Sequence, residues 1–326
     1  MPPMETMVDL ATPVSQSLAQ VIDVFDAEIR SELLFVNRLT DQVRRYRGKL
    51  LRPNLLLLAG ESSGRITHDH IVLAAVVEMV HMATLVHDDV LDEADVRRRN
   101  PTINRLIGNE GAVLLGDFLI SHAYHLCSSL GSTWASRRVA AVTNIVCEGE
   151  LLQIENRGNF NLTEAEYLDI IRRKTAALTG LCCELGAAVS KASVDAVEHL
   201  SAYGSDLGMA FQIVDDLLDL TGTESETGKS VGRDADRGKM TLPLIRFMER
   251  AAPSERKRLI DVLSSADPRK NGQIREMLAD SDCTAQALEA ARGFIASAIE
   301  HLTVLNDSNA KSKLIAAAEF VLHRRA

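Results

Sequence analysis

The sequence predicts an all-α fold on three grounds. Aromatic residues make up only 4% of the chain while apolar residues reach 46%, so a substantial core is available, and Ala and Leu are plentiful. Few segments alternate Val, Ile, Thr and Tyr with polar residues, which leaves sheets without their usual material. Apolar residues recur instead at helical spacing, between breaks at Gly48, Arg52-Pro53, Asn100-Pro101, Gly131-Ser132, Gly158-Asn159 and Ala252-Pro253.

In chain order, residues 1–13 read as a loose tail. From Asp69 to Asp92 no Gly or Pro intervenes, and Ile71, Ala74, Ala75, Glu78, Met82 and Leu85 keep a 3.6-residue rhythm. This predicts one long, mostly apolar and central helix. A second long helix starts near Ser193, a natural N-cap, and ends in FQIVDDLLD. The longest irregular piece is TGTESETGKSVGRDADRGKMTLP at 221–243. Structureless stretches of such length inside compact domains are often lids or binding loops, and residues 221–241, with Lys229 and Lys239, are the expected lid. No repeat or low-complexity linker appears, and 326 residues suit one large domain or two ordinary ones.

Composition excludes several function classes. A net charge of −9 argues against broad nucleic-acid binding, because the average field repels a phosphate backbone. Five cysteines without C-x-x-C spacing fit reduced, buried thiols and a cytoplasmic location, and Cys182-Cys183 reads as core. No apolar run approaches the roughly 20 residues of a membrane span. The N-terminus MPPMETMVDLATP lacks the basic start and apolar centre of a signal peptide. The expectation is a protein neither secreted nor integral to a membrane.

Two acidic clusters carry the chemistry. The first lies in HDDVLDEADVRRRNPT at 87–102, the second in FQIVDDLLDLTG at 211–222. Each ends a long apolar helix, where the helix dipole disfavours negative charge. One such cluster is commonly only a solvated helix end; two, each followed by basic residues, are a much stronger signal. In each, the first and third aspartates are four apart and share a helix face, so they can share hard cations. Oxygen-rich sites without histidine pairs suit Mg²⁺, which keeps waters and bridges carboxylates to phosphates. The implied ligand is a diphosphate, provided the two helices, 127 residues apart (215 minus 88), are neighbours. Arg97 and Arg98 can bind phosphate oxygens bidentately, although surface counter-charge is their plainer reading. Lys49 and Arg52 stand near a helix start, a natural anion site. His81 alone reads as a core or helix-face histidine.

Together these residues resemble the trans-type polyprenyl diphosphate synthases, over nearly the whole chain. GKLLRP at 48–53 is similar to the family's G-K-x-x-R-P, HMATLVHDDVLD to its first aspartate-rich motif, and VRRRNPT to its R-R-G-x-P-T. LLGDFL is similar to the helix that follows, RRKTAAL to its K-T element, FQIVDDLLD to its second aspartate-rich motif, and TGKSVGRDADRGKMTLPL to its G-K and G-K-x-T-L-P elements. Arg99 replaces the usual glycine of R-R-G, and Leu50 sits where many members have another basic residue.

The resemblance implies one all-α isoprenoid synthase domain over 14–326, a bundle around a central active-site cavity, commonly a homodimer. It implies Mg²⁺ held by Asp88, Asp92 and Asp215, with Asp89, Asp216 and Asp219 as supporting or further ligands. Arg97, Lys174, Thr175, Gln212, Lys229 and Lys239 are similar to its contacts to an allylic diphosphate. Lys49, Arg52, His81 and Arg98 are similar to its isopentenyl diphosphate site. The implied reaction is prenyl transfer: ionisation of the allylic carbon–oxygen bond, attack by the isopentenyl double bond and loss of a proton, with water kept out.

Product length is expected to depend on the turn before the first cluster. Bulky aromatics there close the family's tunnel early, and here Ala83 and Thr84 are small. With Val80, Val77 and Val76 below them, a deep channel is expected, and each further helical turn, at about 1.5 Å per residue, takes roughly one more isoprene unit. The expectation is a long-chain synthase primed by farnesyl or geranylgeranyl diphosphate, its product passed on to a membrane, in which Ala83→Phe shortens the product. A short-chain (C15–C20) synthase and a non-catalytic subunit of a heteromeric synthase are the alternatives. Terpene cyclases and head-to-head condensing enzymes lack the Lys49, Arg52 and His81 set.

Overall fold

The computed structural model of the chain describes residues 14–97, 100–222, 232–267 and 269–323. Fifteen α-helices are found among them, with one pair of two-residue strands, so the all-α expectation holds. The chain packs as two compact units. The first holds residues up to Asn144, Leu178–Gly204 and Ile299–Ala318; the second holds Ile145–Ala177, Ser205–Ala298 and the C-terminal residues.

In the first unit α1 (Ser15–Glu28), α2 (Leu34–Tyr46) and α3 (Leu51–Ser63) precede α4 (His68–Leu91). The long helix read as Asp69–Asp92 thus appears within one residue at each end. Thr67 starts it, its backbone N–H donating to His70 Nδ1 at 3.1 Å. That bond makes Nδ1 the acceptor, so His70 Nε2 carries the proton and donates to Gly186 O at 3.0 Å. α4 is buried on all sides from His70 to Val80 and packs on α1, α3 and α5 (Ile103–Ser129). Contrary to the sequence reading, one described helix is long and apolar enough to cross a membrane, and it is α4; most of that surface is spent inside the protein.

One break needs correction. Pro53 does not stop a helix but sits in the first turn of α3, where the missing N–H is no loss. Asn100-Pro101 is β2, paired antiparallel with β1 (Val96–Arg97), so Arg97 stands on a hairpin. Gly108, not flagged in the sequence, adopts φ +79° inside α5 and kinks it, a conformation open to glycine at little cost. All five cysteines are free and four are buried, but Cys147 is exposed.

α6 (Thr133–Glu155) is shared between the units. In the second unit α7 (Glu164–Ile171) opens with a capping box, Thr163 N–H donating to Glu166 Oε2 at 2.8 Å and Glu166 N–H to Thr163 Oγ1 at 3.3 Å. It runs into a five-residue π-helix, Arg172–Ala176, before α8 (Ala177–Val189). α9 (Val194–Thr221) is capped as read: Ser193 Oγ accepts the Ala196 N–H at 3.2 Å. α10 (Arg233–Asp236), α11 (Leu242–Arg250), α12 (Pro253–Leu263), α13 (Lys270–Ala279), α14 (Cys283–His301) and α15 (Asn309–Leu322) complete the chain.

Candidate functional site

In the first unit the C-terminal half of α4 presents an accessible stripe formed by His81, Thr84, Leu85 and Asp88 and continued by Asp92 at the helix cap, with His87, Val90 and Leu91 accessible beside it. The stripe's spacing of three and four residues defines a single helix face. Asp89 lies beside this face and is fully buried. Arg97 grips it from the hairpin, Nε and Nη2 each 2.8 Å from Oδ1. The Asp88 carbonyl accepts the Asp92 N–H at 2.8 Å, and the Asp89 carbonyl accepts the Ala94 N–H at 2.9 Å, which closes the helix beneath the acids.

Three described residues of this unit hold a left-handed backbone although they carry side chains: Leu50 at φ 50°, Glu93 at φ 45° and Lys191 at φ 60°. Such conformations cost about 1–3 kcal/mol and collect at functional sites. Leu50 lies between Lys49, which is exposed, and Arg52, whose Nε is buried without a hydrogen-bond partner. Burial lowers the pKa of the Arg52 guanidinium, opposed by Cys182 and Glu78. Val76, Val77, Val80 and Ala83 expose no surface, while Thr84 is half-buried and donates its hydroxyl to His81 O at 2.8 Å.

The second unit repeats the arrangement at the end of α9. Asp215 and Asp219 are half-accessible, while Asp216 is buried. Asp216 accepts from Tyr167 Oη and from Gln212 Nε2, both at 2.7 Å, and Gln212 Oε1 accepts from Thr175 Oγ1 at 2.8 Å. The structure therefore joins Thr175, Gln212 and Asp216 in one chain of hydrogen bonds. Asp219 accepts the backbone N–H groups of Asp234 at 3.0 Å and Arg233 at 3.3 Å, at the start of α10. Lys239 Nζ stands 3.4 Å from Asp234, and Lys174 is ion-paired with Glu150.

Burial, followed by the charge of Asp234, pushes the Asp216 carboxyl up to about 8, against the lowering effect of the Tyr167 and Gln212 hydrogen bonds. The same two causes push Asp219 up to about 6. A carboxylate cluster that resists ionisation is one that a dication relieves. Its donors are all oxygen, so the residues fit a hard divalent cation. Among the described residues no three His, Cys, Asp or Glu side chains form a ready-made metal cage; a cation held by one or two carboxylates with waters and ligand phosphates needs none.

Arg98, Arg99 and Lys229 lie outside the described residues, as do residues 223–231 of the expected lid. Sequence reasoning missed Tyr167, Glu150 and the effect of Asp234. Tyr167 is 49 residues from Asp216 and belongs to no motif. Asp234 stood in plain view within GRDADRG.

The family profile described as polyprenyl synthetase matches residues 35–281. The short chain isoprenyl diphosphate synthase of Methanothermobacter thermautotrophicus is 36% identical over 281 residues, 85% of this chain and 86% of that one. The octaprenyl diphosphate synthase of Escherichia coli is 32% identical over 315 residues, 95% and 96% of the two chains. The crystal structure of a polyprenyl synthase from Caulobacter crescentus, complexed with calcium and isoprenyl diphosphate, superposes with a TM-score of 0.93 at 31% identity over 100% of both chains. The fold is that of the isoprenoid synthases, and the chain belongs to the polyprenyl synthetase family of prenyltransferases.

Proposed function

We propose that the protein condenses an allylic diphosphate, farnesyl or geranylgeranyl, with isopentenyl diphosphate, head to tail and in trans, to give a long-chain polyprenyl diphosphate. The observation that carries this reading is the arrangement repeated in both units. Each long helix ends with its first and third aspartates accessible and its middle one tied into the protein. In this proposal residues 14–326 act as one synthase domain, and each pair meets diphosphate through a divalent cation.

Asp88, Asp92, Asp215 and Asp219 would hold Mg²⁺, which when bound supplies positive charge to the leaving diphosphate. Calcium in the Caulobacter structure supports a divalent cation of this class. Arg97, Lys174, Lys229 and Lys239 add fixed positive charge where the allylic carbon–oxygen bond gives up its electron pair. Thr175 and Gln212 orient that headgroup, while Lys49, Arg52, His81 and Arg98 hold isopentenyl diphosphate with its double bond toward the allylic carbon. The new carbon–carbon bond takes the π electrons, and a proton leaves the adjacent carbon. A homodimer is proposed as well, supported by Leu106, Val113 and Leu114 left exposed along α5. So are a cytoplasmic location and release of the product toward a membrane.

Incubation with Mg²⁺, labelled isopentenyl diphosphate and each allylic primer, followed by separation of products by length, tests the activity. Incorporation into chains beyond C20 is expected; none with any primer favours a binding subunit. The accessible stripe of α4 refines the chain-length test, because Ala83 lies in filled core where a ring overpacks by about 1–3 kcal/mol. Thr84→Phe puts the ring on the open face instead, and is expected to shorten the product with little loss of stability. An unchanged product distribution would remove α4 as the wall of the channel.

The carboxyl shifts give a pH dependence. Asp219 rises from 3.8 to about 6 on folding, so the folded state holds the extra proton between those values. Stability from this group is full below the unfolded pKa and is lost as pH rises through about 6. Mg²⁺ competes with that proton, so the rise in melting temperature on adding Mg²⁺ grows between about pH 5 and pH 7. Equal rises at both values would place the cation elsewhere.

A further inference from the structure

The π-helix Arg172–Ala176 lies against α6 in an orderly way. Arg173 Nη1 pairs with Glu148 at 2.8 Å and Nε with Asp169 at 2.9 Å, while Lys174 pairs with Glu150. Between the two glutamates, Gly149 faces the π-helical backbone directly. A Cβ at Gly149 would lie 2.5 Å from the Lys174 backbone nitrogen and 2.8 Å from Arg173 Cβ, so only glycine admits this approach. Glu148, Gly149 and Glu150 thus form a clasp on two successive basic residues.

The two ion pairs of the clasp differ in burial. In the outer pair Arg173 is 35% exposed and Glu148 57%, a setting in which salt bridges contribute little. In the inner pair Lys174 is 22% exposed and Glu150 15%, where loss of one partner matters more. π-helical turns are rare and frequent at functional sites; this one carries Thr175 into the hydrogen-bond chain through Gln212 to Asp216.

We infer that Glu150 is a positioning residue: its carboxylate orders the Lys174 ammonium beside the Thr175–Gln212–Asp216 chain, so that the ammonium is already placed when a diphosphate arrives. A lysine stem loses rotamer entropy when it is fixed, and an ion pair made before binding removes part of that cost from the binding step. The inference rests on the proposal that Lys174 meets the allylic diphosphate.

Steady-state kinetics on Glu150→Ala, Glu150→Gln, Gly149→Ala and Glu148→Gln tests it, beside calorimetric titration of each with inorganic diphosphate. Glu150→Ala is expected to raise KM for the allylic substrate about 10-fold, equivalent to about 1.4 kcal/mol, with KM for isopentenyl diphosphate within about twofold. Glu150→Gln, which keeps an acceptor oxygen, falls between; Gly149→Ala reproduces the split without touching a charge; Glu148→Gln changes neither constant. Equal changes in both KM values, no change, or a lower allylic KM would overturn the assignment. If wild-type protein turns over no primer, the failure belongs to the proposed reaction. The calorimetry then decides the positioning role alone: unchanged inorganic diphosphate affinity in Glu150→Gln and Gly149→Ala rejects it.

Discussion

Asp88→Ala is expected to lower kcat/KM by about 10³-fold or more while leaving the protein at least as stable as before. A cation stabilising the leaving group contributes several kcal/mol to the transition state, and each 1.36 kcal/mol is about tenfold in rate. The stability side has the opposite sign. Asp88 ends α4, where the helix dipole makes a carboxylate unfavourable by about 0.3–1 kcal/mol. The Asp88 carbonyl accepts the Asp92 N–H whatever the side chain, so that capping bond survives the substitution. A residue that destabilises the fold and is needed for turnover is paid for by function. Parallel kinetics and thermal melts check both halves; a drop in melting temperature matching the lost activity would mark Asp88 as structural.

Arg97→Ala is expected to do its damage through the fold. Asp89 is fully buried, and both guanidinium bonds from Arg97 end on its Oδ1. Removing one partner of a buried pair costs about 3–5 kcal/mol; because Arg97 is 26% exposed, the lower figure applies. For a chain of this size that lowers the melting temperature by about 4 °C. Asp89→Asn, which discards the charge and keeps an acceptor, should cost about 1 kcal/mol. Calorimetric melting separates the two; an unchanged transition in Arg97→Ala would mean that other groups hold Asp89.

Helices were legible where the cause is local. The rhythm of Ile71, Ala74 and Ala75 and the absence of Gly and Pro located α4 within one residue at each end, and the Ser193 hydroxyl announced the start of α9. Pro53 misled because proline ends a helix only when it is not in the first turn. The aspartates announced themselves by their spacing, yet spacing alone could not tell that the middle member of each set turns inward. That depends on Arg97, on a hairpin, and on Tyr167, on another helix. Glu150 was invisible for the same reason: its partner is 24 residues on (174 minus 150), and only the fold brings α6 beside the π-helix.

A π-helical turn holds one residue more than the α-turn it replaces, so Arg172–Ala176 amounts to a one-residue insertion absorbed within a helix. Deleting any residue there would leave an unbroken spiral from Glu164 to Val189 and swing the preceding side chains round by about 100°. Tyr167 and Thr175 reach the Asp216 carboxylate from opposite sides of that turn, one directly and one through Gln212. Both cannot do so if the count is wrong. The length of this segment is therefore under tighter constraint than its composition, and indels here should be rarer than substitutions.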